Sequence, residues 1–353
     1  MKHGGDLISY ESYYDGELID FSSNINPLGA PNGLEQILID SFNSLEAYPD
    51  IQYRKLKRSI SSYLNCDEDN VLVGNGAVEI INNFTLLANR VLVATPSFSE
   101  YEKRAIVHGK TVERIPYGDD FTISIQAIKK IIQKDDLLIL GNPNNPTGLR
   151  IEKNILIEIY EMVKQADAHL LLDEAFFEFC PNDYDSIELF KRSNYENISI
   201  IRAATKFFAL PGIRLGYGCT SPNKVKELQK IELPWSINSL ADAAGQFIFK
   251  DKEYIEESKS YIEKERRYLL EELSKILNIK VYNTHTNYIL IKLLGWNEEY
   301  IFNFLLKRGI VIRRCSSFIG LPNGYIRVAI KDREKNIKLI QALNKLIERE
   351  NVK

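Results

Sequence analysis

Three stretches of this 353-residue chain place a chemically loaded side chain directly after a short apolar run. Asn145 sits in Gly141-Asn-Pro-Asn-Asn-Pro-Thr-Gly148, Asp173 opens Asp173-Glu-Ala-Phe176, and Lys206 stands in Ala203-Ala-Thr-Lys-Phe-Phe-Ala-Leu-Pro-Gly-Ile-Arg-Leu-Gly-Tyr217. A lone lysine among apolar neighbours is ordinarily a snorkelling surface residue, because lysine is rarely buried without a partner. An amide, a carboxylate and an amine in this order suggest more. A primary amine condenses with an aldehyde to a Schiff base. A buried carboxylate keeps a pyridine nitrogen protonated, so that the ring can accept the electrons released when a bond to Cα breaks. An asparagine amide can donate to a phenolic oxygen. The three groups together suit pyridoxal 5′-phosphate.

The elements that must position these groups are legible as short apolar runs separated by helical segments. The runs are Asn70–Val73, Arg90–Ala94, Asp136–Leu140, His169–Leu172 and Ile198–Ile201. Runs apolar throughout, with connections long enough for a helix, predict a mostly parallel sheet covered on both faces. Ligands of such α/β sheets bind beyond the carboxyl ends of the strands, where Asn145, Asp173 and Lys206 fall. Lys250–Leu277 has the apolar spacing of a long amphipathic helix. Beyond it, Ile279–Tyr282, Asn287–Lys292, a helix around 297–308, Ile310–Arg313 and Tyr325–Ala329 predict a smaller α+β domain. The expected division is an arm over 1–30 that contributes to the active site and the small domain, a large domain over 31–240, and a small one over 241–353.

With these residues in hand, the chain resembles the fold-type I pyridoxal-phosphate enzymes of the aminotransferase family along essentially its whole length. The resemblance implies that Lys206 is the Schiff-base lysine, Asp173 the pyridinium partner and Asn145 the ligand of the ring oxygen O3′. It implies that Arg214 holds the cofactor phosphate, with backbone N–H groups of Gly76 and Ala77 from the turn Gly74-Asn-Gly-Ala77. Helix N-termini favour anions. By the same resemblance Phe98, in Thr95-Pro-Ser-Phe98, stacks on the ring, and Tyr48, in Tyr48-Pro-Asp50, reaches the phosphate bound by a neighbouring subunit, which implies a homodimer. Arg327 in the last strand would clamp a substrate carboxylate in a bidentate fork. Taken alone, Phe98 reads more readily as core, and the Gly74 turn as only a turn. Two positions depart from the family: Phe176 replaces a tyrosine that donates to O3′, and Ala203 replaces a serine that touches the phosphate, a contact Thr205 can partly replace.

Which bond breaks is decided by how substrate is oriented, so the substrate ligands matter more than the cofactor set. Lys2–Asp6, Asp20–Gly29 and Leu233–Asn238, together with Phe176, look like the threonine-phosphate decarboxylases of cobalamin biosynthesis, which are themselves similar to histidinol-phosphate aminotransferases. That resemblance implies a lyase releasing CO2 from L-threonine O-3-phosphate (or serine phosphate), with His3, Arg313 and groups near Asn24 and Asn26 on the substrate phosphate. Read without it, His3 is a fraying terminus. Arg314, next to Arg313 on a strand, should face the opposite side. The alternatives are an aminotransferase using the same residues and a non-catalytic protein that only binds the cofactor.

Composition excludes several other classes. A formal net charge of −3 with scattered basic residues offers nothing for nucleic acid or an anionic membrane. The opening Met-Lys-His-Gly-Gly-Asp does not read as a signal peptide, and no apolar run is long enough for a membrane span to be expected. The four cysteines, Cys66, Cys180, Cys219 and Cys315, form no Cys-x-x-Cys pair and the four histidines are dispersed, so neither a zinc site nor a disulfide framework is expected. A reducing, cytoplasmic setting is the expectation.

Overall fold

The computed structural model describes residues 4–351. Its strands, in chain order, are β1 (Ile19–Asp20), β2 (Val71–Asn75), β3 (Arg90–Thr95), β4 (Thr111–Pro116), β5 (Asp136–Gly141), β6 (His169–Asp173) and β7 (Ile198–Ala203). They continue with β8 (Leu215–Thr220), β9 (Ile279–Val281), β10 (Tyr288–Leu293), β11 (Ile310–Val311), β12 (Arg313–Arg314) and β13 (Tyr325–Ala329). Seven form one sheet in the order β2-β8-β7-β6-β5-β3-β4. Each pair within β7-β6-β5-β3-β4 is parallel, and β8 runs antiparallel to both of its neighbours.

The unbroken apolar runs follow from burial on two sides. Along β5, Leu138 and Leu140 enter one hydrophobic cluster while Leu137 and Ile139 enter the other; Leu92 and Ala94 of β3 alternate in the same way with Val91 and Val93. Each fully buried leucine or isoleucine contributes roughly 1.5–3 kcal/mol relative to an exposed one. Helices Ala77–Leu87, Glu100–Val107, Ile125–Ile131 and Lys153–Gln165 follow β2, β3, β4 and β5 and supply the covering layers.

A four-stranded antiparallel sheet, β12-β13-β10-β9, makes a second, smaller layer. The expected single strand over 310–313 is divided: Ile310 and Val311 pair in parallel with Ile19 and Asp20, whereas Arg313 and Arg314 pair with β13. The N-terminal segment is therefore woven into the far end of the chain. Phe21, fully buried, donates its N–H to Val311 and accepts from Ala329 N–H, both at 2.8 Å. The long helix runs over Lys252–Ser274, started by Asp251, whose side chain accepts from Tyr254 N–H. Its buried Glu265 pairs with Arg333 at 2.9 Å and thereby fixes the final helix, Arg333–Asn351. No described helix is long and apolar enough to cross a membrane.

Candidate active site

The aromatic neighbours of Lys206 explain its setting. Phe207 and Phe208 are fully buried: Phe207 packs edge-on to Phe179 at 5.1 Å, and Phe208 stacks with Tyr254 at 6.0 Å. Anchored in this way, the turn after β7 presents Lys206 to a cavity of about 250 Å³ beyond the carboxyl ends of β6 and β7. Desolvation, followed by the positive charge of Arg327, lowers its ammonium to about 8. An amine so placed reaches its neutral form, the one that attacks a carbonyl, at lower pH than an exposed lysine does.

Asp173, the last residue of β6, also lines the cavity. Burial pushes its carboxyl up, and two donors oppose that: Tyr101 O–H at 2.8 Å on one oxygen and Ala175 N–H at 3.0 Å on the other. Asn145 is carried by a loop whose neighbours are tied down. Asn142 donates to Glu174 at 3.0 Å and accepts from Ile151 N–H, and Asn144 donates to the Pro96 carbonyl at 3.0 Å. The side-chain oxygen of Asn145 accepts from Arg327.

A second end of the cavity is formed by backbone. Ala77 and Val78, the first turn of helix Ala77–Leu87, line it, and the first N–H groups of a helix have no partner within it. Gly76 has φ +76°, and a Cβ there would lie 2.4 Å from Arg214 Nη2. A Cβ on Gly216 of β8 would lie 2.5 Å from Ala77 N. The glycines let β8, the helix start and Arg214 close on one another into a cup suited to an anion. Thr205 and Ala203 line the same cavity, as do Phe98 and Phe176.

The small sheet supplies two more cations. Arg313 and Arg327 are cross-strand partners on β12 and β13 and are 3% and 5% exposed. Arg313 donates to Ser317 Oγ at 2.7 Å, while Arg327 donates to the Ser22 carbonyl at 3.0 Å. Desolvation, then each guanidinium's repulsion of the other, lowers Arg313 to about 10. Arg314 does face away, pairing with Glu299 and lying over Phe302. Among the described lining residues Asp173 is the one carboxylate, against Lys206, Arg214, Arg313 and Arg327. Such a cavity selects ligands carrying more than one negative group.

Other expected site residues are placed differently. Asn24 is buried and lines the cavity, and its side-chain oxygen has no partner among the described residues. Asn26 is turned away from the substrate position expected of it. Its side chain donates to the Phe207 carbonyl, Tyr254 and Ser258, and its N–H donates to the Lys206 carbonyl at 3.0 Å. It braces the lysine turn from behind. Tyr48 is 79% exposed, stacked on Trp235 at 4.4 Å, and does not line this cavity. His3 lies outside the described residues. Sequence reasoning missed Tyr101, although it stands three positions after Phe98 at the start of one helix. The pair touches edge-on at 5.6 Å, a spacing that places both on one face.

The residues present fit pyridoxal phosphate on chemistry alone: a desolvated amine, a buried carboxyl group that two donors reach, and a glycine-cleared helix start beside an arginine. Comparison with known proteins agrees. The family model for aminotransferase class I and II matches residues 16–343, and the chain belongs to that family. It is a pyridoxal-phosphate enzyme family. The chain is 40% identical, over 99% of its length and 97% of the relative, to a protein of Caldanaerobacter subterraneus provisionally named a threonine-phosphate decarboxylase. It is 32% identical to the threonine-phosphate decarboxylase of Salmonella typhimurium, covering 94% of this chain and 92% of that one. Among solved structures, the histidinol-phosphate aminotransferase of Clostridium acetobutylicum is 40% identical with a TM-score of 0.90, covering 94% of this chain and all of that one.

Proposed function

We propose that this enzyme decarboxylates L-threonine O-3-phosphate, or serine phosphate, to the amino-alcohol phosphate that serves cobalamin biosynthesis. The observation that carries the reading is the pair of buried guanidiniums, Arg313 and Arg327, at the same wall of the cavity. Such a substrate brings a carboxylate and a phosphate together, and each asks for its own charge-assisted donors. Histidinol phosphate carries only the phosphate, and its transamination meets the carboxylates of glutamate in a separate half-reaction rather than on the same substrate.

In this reading Arg327 takes the carboxylate region and Arg313, with Asn24, the phosphate. Lys206 binds the cofactor aldehyde, Asp173 its ring nitrogen, Asn145 its O3′, and Arg214, Thr205 and the N–H groups of Gly76 and Ala77 its phosphate, while Phe98 packs on the ring face. When bound, pyridoxal phosphate supplies the electron sink for the pair left by the broken Cα bond. Lys206, once its amine is free and protonated, would be the acid that returns a proton to Cα after CO2 departs. Asn26 and the Phe207–Phe208 anchor hold the turn that carries that amine. Tyr48 would act across a homodimer; it is exposed, as are Phe42, Leu45 and Ile51 near it in the sequence, apolar side chains that a second copy would cover.

A second reading, transamination of histidinol phosphate, is favoured by the 40% identity to the Clostridium acetobutylicum structure. The purified protein, incubated with O-phosphothreonine and separately with histidinol phosphate plus 2-oxoglutarate, decides between them. CO2 from the first mixture supports the proposal. Glutamate from the second, without CO2 from the first, replaces it.

A further inference from the structure

Tyr101 touches both Asp173 and Phe98 through its side chain. Its hydroxyl donates to Asp173 Oδ2 at 2.8 Å, and its ring meets the Phe98 ring edge-on at 5.6 Å. It is 2% exposed, on the helix Glu100–Val107, whose start is set by the loop that carries Phe98. A carboxylate buried this deeply favours its neutral form unless donors hold it ionised. Among the described residues two donors reach it: the Ala175 N–H, which is local backbone, and Tyr101. If Asp173 became neutral it could no longer hold a proton on a pyridine nitrogen by charge, only by a weaker neutral hydrogen bond.

We infer that Tyr101 is a positioning residue for the cofactor's ring nitrogen: its hydroxyl donates to Asp173 and holds that carboxyl group in place, while its ring fixes the stacking platform Phe98. The residue does not itself touch the reacting atoms. The inference holds whichever of the two reactions the enzyme performs, because both use the same ring.

The test compares cofactor affinity rather than turnover. Dissociation constants of apoenzyme and Tyr101→Phe are measured for pyridoxal phosphate and for its 1-deaza analogue, in which carbon replaces the ring nitrogen. Tyr101→Phe keeps the ring contact with Phe98 and removes only the hydroxyl. The expected result is about a tenfold weaker hold on pyridoxal phosphate, the scale of one hydrogen bond to a charged group. With the deaza analogue the variant and the parent should bind alike, since there is no ring N–H for Asp173 to hold. Equal losses with both cofactors would show that the hydroxyl only supports packing, and no loss with either would show that it is idle; both overturn the inference. If Tyr101→Phe does not accumulate folded, Tyr101→His, which keeps a ring and a donor, should retain parental affinity for pyridoxal phosphate. A tenfold loss there, matched with the deaza analogue, also overturns it.

Discussion

Arg327 donates through Nη1 to the side-chain oxygen of Asn145, joining the last strand of the small sheet to the loop after β5 by one hydrogen bond. With its oxygen engaged, the Asn145 amide nitrogen is left as the donor available to the cofactor, so the two proposed anchors are coupled. Asn145→Ala should therefore weaken both cofactor and substrate-carboxylate binding, each by roughly 1–3 kcal/mol, because a buried guanidinium N–H loses its acceptor. Cofactor dissociation and the KM for O-phosphothreonine report the two effects; a change in only one would mean the sites act separately.

The lowered ammonium of Lys206 has a direction in pH. The folded value, about 8, lies below that of a free lysine, so the reactive neutral amine accumulates as pH rises through about 8. The rate at which apoenzyme captures pyridoxal phosphate should climb through that region and level off above it, and a midpoint in the ordinary lysine range would contradict the desolvated setting. Between about 8 and the free value the unfolded chain binds more protons at this site. Apoenzyme stability from this group should therefore rise with pH there, and Lys206→Met should remove that slope. Lys206→Ala should also leave no lysine adduct after borohydride reduction, read by mass spectrometry.

Arg313→Ala should raise the KM for O-phosphothreonine at least tenfold and that for unphosphorylated threonine far less. A bidentate or charge-assisted contact to a phosphate is lost in the first case only. Equal effects on the two substrates would remove Arg313 from phosphate recognition.

Gly216→Ala places a methyl group 2.5 Å from Ala77 N. Neither β8 nor the start of helix Ala77–Leu87 can yield without moving the N–H cup. Cofactor affinity should drop about tenfold or more and stability by roughly 1–3 kcal/mol, the usual cost of overpacking. Calorimetry of the apoenzyme separates the two, and unchanged cofactor affinity would place the phosphate elsewhere.

Much of the fold was legible because it rests on burial. The five apolar runs over residues 70–201 are all strands of the large sheet, and the long helix differs from its expected bounds by a few residues at each end. Two strands of the large sheet escaped detection for physical reasons. Thr111–Pro116 is an edge strand with exposed and half-buried positions, so its sequence lacks an apolar run. Leu215–Thr220 carries Gly216 and Gly218, residues that weaken a strand signal. Both glycines are required by close approach: a Cβ on Gly218 would lie 2.1 Å from the Ile200 carbonyl oxygen. Its reversed direction could not be read from composition.

At the site, Lys206, Asp173 and Asn145 were readable because each follows a strand in order. Asn24 and Asn26 show the limit, since two positions along one irregular segment divide between the cavity and the bracing of the lysine turn. No periodicity distinguishes them. Ser22, Ser317 and Phe318, which also line the cavity, lie in loops where spacing carries no direction. The exposed position of Tyr48 gives no indication of its role within a single chain.

The pairing of Ile19 and Asp20 with Ile310 and Val311 has a consequence for how the protein is made and cut. The first strand to leave the ribosome must wait for nearly the entire polypeptide before it finds its neighbour, so nascent chains carry an unmatched segment through most of translation. A fragment beginning at residue 241 would in turn expose a bare strand margin where Ile19 belongs, inviting association with other fragments. The carboxy-terminal third should be recovered in soluble form only when the opening residues are supplied with it.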